Sequence, residues 1–550
     1  MKCNSCGNDN LKGAKFCVKC GAQLIDNLSS IENDNENEIV VEDLSSDTVT
    51  VAKKLPSNKA FKFAIPVVLI IAAFLFISSM FKGSNIHAKK NSIYAFYDYE
   101  KVYALIDNKT KVTIEGELHS HNRSIDDKAG IMLVDYEEYG GNLWYVSASG
   151  NFKIDEDVYA YKLSDSGNGI IYLTDYDYNN DKATLYLYDI TSKKREKISD
   201  EVLYYGNGNN FTATISPDGK SVSYTTFTDE YADDSVGYVK INGGATKELG
   251  KNIYVVAISD GGKYIYYLKN SSNSTALYVK SGKNETKLVS DFSNSSSLIL
   301  NKDYSQIIFN NDGKAYISKN AKDKEKINNS EINYLILPQY PQFTFSRESG
   351  AYIYVYGVHS FENTYANAGS QTFYIDNKLE FTRISGANSA YDRVISADGK
   401  KMYYITSSNN LKVFNSTDKD EKEENIAEDV IRFVITKDEK TIYYVNTDYE
   451  LWGKKGNKKA EKIADDVSEY YLALSPNSNK LFFLADYGNY GELYYSNNGG
   501  KKIKVAKADE VRQVESSVTG IIYWTVDGDV FRSTGNEKFE LFQKEVENRY

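Results

Sequence analysis

Four cysteines, Cys3, Cys6, Cys17 and Cys20, stand in the pattern C-x2-C-x10-C-x2-C and are the only cysteines in the 550-residue chain. Two thiolates two residues apart can grip one metal ion, and Gly7 and Gly21 follow the pairs where the chain must turn tightly. Four sulfurs at tetrahedral corners suit Zn2+ and close its shell, leaving no open position for a substrate. Such chemistry is structural. A segment of some twenty residues cannot bury a core, so metal binding must supply most of its folding free energy. A pair of disulfides is the rival use of the same cysteines and needs an oxidising compartment; thiolates on a metal imply a reducing one, the cytosol.

The remaining candidates for chemistry are sparse. The four histidines are His87, His119, His121 and His359, of which His119-Ser-His121 forms an H-x-H pair in what reads as a solvent-facing polar loop. Without a carboxylate at ligand spacing, that pair is a weak metal candidate. Asp175-Tyr-Asp177-Tyr-Asn179-Asn-Asp181 has the start of a calcium loop, but Asn180 replaces the glycine and Tyr186 the bidentate glutamate, so an acidic hairpin loop is the simpler account. No G-x-S-x-G nucleophile elbow and no glycine-rich phosphate loop is found.

The cysteine-bearing segment, with Cys-Asn-Ser-Cys-Gly and Phe16-Cys-Val-Lys-Cys-Gly, resembles the bacterial zinc-ribbon family that opens many membrane proteins. The resemblance covers residues 1–24 and implies a structural zinc site and no activity. Residues 25–60 follow as an acidic tether, with eight acids and no base between 21 and 52, too poor in apolar residues to fold. Residues 61–82 hold nineteen consecutive uncharged residues (63–81) between Lys62 and Lys82, enough for a helix to span a ~30 Å hydrocarbon core. A buried core helix or the apolar part of a signal peptide are the alternatives. Lysines flank both ends, so orientation rests on the thiols: head in the cytoplasm, the cysteine-free bulk outside.

Beyond residue 92 one phrase recurs. Ile215-Ser-Pro-Asp-Gly-Lys, Ile258-Ser-Asp-Gly-Gly-Lys, Ile395-Ser-Ala-Asp-Gly-Lys, Ile435-Thr-Lys-Asp-Glu-Lys and Leu474-Ser-Pro-Asn-Ser-Asn each precede a Tyr- or Phe-rich strand. From Asp218 through Gly261, Asp303, Glu348, Asp398 and Asp438 to Asn477 the steps are 43, 42, 45, 50, 40 and 39 residues. A period near forty with four short strands marks β-propeller blades. The phrase resembles the TolB-type propeller repeat, and about eleven copies imply two rings, 92–330 and 345–545, divided where Pro338 and Pro341 interrupt the rhythm; a single large or open array is the competitor. Tyrosine pairs such as Tyr266-Tyr267 should send one ring into the core and one outward, as wedges between blades rather than a sugar-stacking surface.

The fold class expected is therefore multidomain: zinc ribbon, one transmembrane helix, and an all-β propeller in two rings. The function expected is a non-enzymatic single-pass membrane protein of the cell envelope, N-terminus cytoplasmic, with protein partners on both sides. Alternatives are a receptor for cell-wall glycan or peptide and a propeller-based lyase or cyclase. A net charge of −11 gives no reason to expect nucleic acid.

Overall fold

The chain divides into two units, Met1–Ser79 and Met80–Tyr550. The structure, a computed structural model, describes residues 93–549 apart from short connecting stretches, the longer of them 205–210, 228–234, 293–297, 337–341, 347–351 and 388–392. Cys3, Cys6, Cys17 and Cys20, the acidic tether 25–60 and the apolar stretch 61–82 lie outside the described residues.

Within the second unit the described residues are strands and turns, plus a 3-10 turn at Asp260–Gly262. They form ten sheets, most of four antiparallel strands. In sequence order these begin with Ile93–Tyr97, Lys101–Ile106 and Thr110–Glu115, then Leu118–Arg123 to Gly150–Val158. An eight-stranded sheet (Ala160–Leu163 to Lys247–Lys251) joins two four-strand repeats through one residue pair, Val202 with Thr226. Seven further sheets follow, the last spanning Val511–Ser516 to Phe539–Gln543.

Several repeat turns are built on a hydroxyl, and the one at 301–306 on the Asn301 side-chain oxygen, which accepts the Gln306 N–H. Ser216 Oγ donates to Asp218 Oδ1 at 2.6 Å while accepting the Ser221 N–H at 2.9 Å. Ser396 does the same with Asp398 and Lys401, and Thr436 with Asp438 and Thr441. The residue after the aspartate takes positive φ: Gly219 at 79°, Gly399 at 71° and Glu439 at 56°. The recurrent Asp-Gly is thus explained by turn geometry.

Packing runs sheet to sheet. Tyr266 and Tyr267 are both buried, Tyr266 in the cluster shared with the following sheet and Tyr267 in the cluster shared with the preceding one. Tyr403/Tyr404 and Tyr443/Tyr444 behave alike. The expectation of one ring outward is corrected: each sheet is sandwiched, so both faces of its inner strands are covered and a strand such as Ile253–Ile258 is buried throughout. The tyrosine hydroxyls reach across the joints. Tyr266 donates to the Tyr304 carbonyl at 2.7 Å, Tyr404 to Ser385 at 3.2 Å and Tyr443 to Asn479 at 3.0 Å.

The expected two rings are not found. Around the supposed divide, the hairpin of Gln342–Ser346 and Tyr352–Val358 pairs parallel with Leu298–Asn301 of the sheet before it, making that sheet six-stranded. A shared core of Ile299, Ile308, Phe361 and Ala366 then carries packing straight into the next sheet. The succession ends on its own beginning: Asn548–Arg549 pairs with Ile93–Tyr97, and Tyr94, Phe96, Trp524 and Phe542 share one core. The sheets form one closed circuit.

The membrane architecture is also corrected. Among the described residues no helix is long and apolar enough to cross a membrane. The expected span lies outside them, so the single-pass topology, the cell-membrane location and the partners assigned on either side of it have no support in the structure and are not retained.

Candidate functional site

Polar and aromatic side chains gather around the hairpin loop at residues 176–181. Strand Gly169–Asp177 and strand Lys182–Asp189 meet in the hairpin that carries the acidic loop. Its carboxylates do not converge on a common point. Asp177 accepts the Asn180 side chain at 2.7 Å and the Asn179 N–H at 2.9 Å, and these bonds hold its carboxyl below the usual range. Asp181 accepts the Tyr176 hydroxyl at 2.7 Å. The loop is a capped acidic hairpin.

Behind it four tyrosines pack ring on ring. Tyr176 lies 4.5 Å from Tyr178 and 5.0 Å from Tyr204, and Tyr159 lies 5.4 Å from Tyr176. Tyr178 is the exposed member, at 55%. Burial pushes the Tyr159, Tyr176 and Tyr204 phenols up, helped by neighbouring tyrosines at Tyr159 and Tyr204 and by the Asp181 carboxylate at Tyr176, so these hydroxyls stay protonated and are not nucleophiles at neutral pH.

His119 and His121 are not in a loop: both lie in strand Leu118–Arg123, where a bulge between Leu118 and Ser120 interrupts the alternation. The His119 ring stacks on Tyr136 at 4.2 Å, and partial burial holds its pKa below the usual value. His121 is half-buried, and burial, helped by Arg123, pulls its pKa down to about 4. A ring so hard to protonate is a poor general acid near neutrality. His87 and His359 lie outside the described residues. Among the described residues no group of three or more His, Cys, Asp or Glu side chains could hold a metal.

One functional candidate escapes sequence reading. Lys162 sits in the inner strand Ala160–Leu163, its Nζ donating to the carbonyls of Phe211 at 3.0 Å and Ala213 at 2.8 Å and standing 4.3 Å from the Phe211 ring centroid. Burial pulls its pKa down to about 7. The signal was a lysine set in Ala-Tyr-Lys-Leu, an otherwise apolar inner strand.

Comparison with known proteins agrees with part of this. Residues 2–24 match the zinc-ribbon domain family, which is a zinc-binding fold. Among curated proteins, none matches the chain. Of solved structures, a eukaryotic initiation factor is similar at 10% identity and a TM-score of 0.39, covering 68% of this chain and 97% of that one. TolB from Acinetobacter baumannii is similar at 12% identity and a TM-score of 0.25, covering 42% and 61%. The tricorn protease gives 10% and 0.24, covering 84% and 62%. The resemblance to a zinc-ribbon membrane protein with TolB-type repeats therefore narrows to its first segment; at such low similarity the TolB likeness carries no functional weight.

Proposed function

We propose that the N-terminal segment holds one structural Zn2+ through Cys3, Cys6, Cys17 and Cys20, and that the β unit is a non-catalytic frame. The zinc reading is supported by the donor set: four sulfurs in two C-x2-C pairs, inside the stretch that matches the zinc-ribbon family. Zinc there supplies folding free energy to a segment too short for a core.

The observation that carries the non-catalytic reading is where the β unit places its buried polar groups. The hydroxyls of Ser216, Ser396 and Thr436 are engaged in turns, and those of Tyr266, Tyr404 and Tyr443 in joints between sheets. Hydroxyls spent in this way hold turns and joints and are not free for a substrate, which supports reading these parts of the unit as a frame.

Metal analysis of the purified full chain tests the first half. One zinc per chain is expected, falling to near zero in a Cys3→Ser, Cys6→Ser variant and equally in Cys17→Ser, Cys20→Ser. Zinc retained in either variant contradicts the four-thiolate site.

A further inference from the structure

The hairpin tip at 176–181 joins three features that a frame does not need: touching phenols, a carboxylate bonded to one of them, and access from outside. The Tyr176 and Tyr178 ring centroids are 4.5 Å apart and tilted by 56°, so carbons of the two rings meet in van der Waals contact. The Tyr176 hydroxyl donates to Asp181 Oδ1 at 2.7 Å. Tyr178 stands 55% exposed in the turn that follows strand Gly169–Asp177.

The rest of the cluster fixes this pair. Tyr204, fully buried, meets Tyr176 edge-on at 5.0 Å and 72°, and buried Tyr159 lies 5.4 Å from Tyr176 and 6.3 Å from Tyr178. The turn is pinned as well, Asp177 accepting the Asn179 N–H and the Asn180 side chain. Tyr178 thus meets solvent and Tyr176 at once, whereas Tyr204 is walled into a close-packed interior that resists reorienting its ring.

We propose that Tyr176 and Tyr178 form a site of oxidative modification, at which a peroxide acting through a haem peroxidase couples the two rings into dityrosine. Each phenol gives up one electron and its hydroxyl proton and becomes a phenoxyl radical. The peroxide takes both electrons and both protons and leaves as two waters. The radicals join through a carbon–carbon bond between ring positions beside the hydroxyls. The hydrogen on each joined carbon then moves to the oxygen, so two phenols are restored and the chain has lost two hydrogen atoms. Exposed Tyr178 meets the oxidant directly. Asp181 selects Tyr176 as its partner: a phenol that loses an electron becomes a strong acid, and the carboxylate at 2.7 Å is within reach of its proton.

Treatment of the dilute full chain with a haem peroxidase and hydrogen peroxide, followed by tryptic mapping, tests the site. Tyr172, Tyr176 and Tyr178 fall in one tryptic peptide, 163–182, bounded by Lys162 and Lys182. That peptide should lose two hydrogens, show dityrosine fluorescence and yield no fragment ions from cleavage between Tyr176 and Tyr178. Tyr178→Phe, at an exposed position, should abolish the loss. Asp181→Asn should slow it about tenfold or more. Tyr470, 77% exposed and 6.5 Å from the Tyr471 ring, serves as the internal control; its oxidation should proceed at the wild-type rate in both variants, which separates a missing group from a misfolded chain. A 163–182 peptide left intact while Tyr470 is oxidised, a link found only between chains, or an equal rate in wild type and Asp181→Asn overturns the proposal.

Discussion

The hydroxyl of Tyr94, in the first described strand, donates to the carbonyl oxygen of Ser516, 422 residues later, at 2.6 Å. It repeats at the closing joint what Tyr266, Tyr404 and Tyr443 do at inner ones. Tyr94→Phe keeps the ring and leaves the Ser516 carbonyl without that donor. The expected cost is about 1 kcal/mol of unfolding free energy, read as a lower urea midpoint at unchanged slope.

The hydrogen bond is not the main force at the joint. The C-terminal ladder is two residues long, whereas Tyr94, Phe96, Trp524 and Phe542 bury large rings together, each contributing about 1.5–3 kcal/mol. Packing therefore outweighs pairing.

Turn conformation gives a prediction of opposite sign. Glu439 occupies with φ 56° the position that Gly219 and Gly399 fill elsewhere. A left-handed backbone costs a residue with a Cβ about 1–2 kcal/mol. Its carboxylate reaches Lys401 at 3.5 Å and the Tyr403 hydroxyl at 3.4 Å, partly exposed contacts worth about 0–1 kcal/mol. The backbone strain exceeds what these contacts return, so Glu439→Gly should raise the urea midpoint; a fall would show that the contacts prevail.

The His121 ring makes stability depend on pH in a defined direction. Its pKa is about 4 in the folded chain against an ordinary 6.5. Between these values the unfolded chain takes up a proton that the folded ring refuses. This contribution to stability is complete above pH 6.5, falls as pH drops toward 4 and is flat below. His121→Gln should shrink the gap in melting temperature between pH 7 and pH 4.5 relative to wild type. An unchanged gap would mean the ring titrates normally.

The repeats were legible because their turns are local: Ile215-Ser-Pro-Asp-Gly and its kin hold within six residues the hydroxyl, the carboxylate and the positive-φ position that build the turn. Closure was not legible. It depends on Asn548–Arg549, a pairing too short to show any period, and on a parallel contact between Leu298–Asn301 and Tyr352–Val358 that no short-range pattern announces. His119 and His121 were misplaced for a related reason: Leu-His-Ser-His-Asn-Arg lacks apolar alternation, yet a bulge and a neighbouring strand impose extended structure on it. Lys162 gained its character from residues at 211 and 213, which only the fold brings near.

Closure of the circuit is tested most directly by a disulfide across it. Tyr97 and Asn548 are register partners, and every native cysteine precedes residue 21. Opposed residues of an antiparallel pair lie within disulfide range. In a Tyr97→Cys, Asn548→Cys chain, mild oxidation followed by peptide mapping should find the 97–548 bond within single chains. Free thiols at both positions, or a bond found only between chains, would contradict a single closed circuit of sheets.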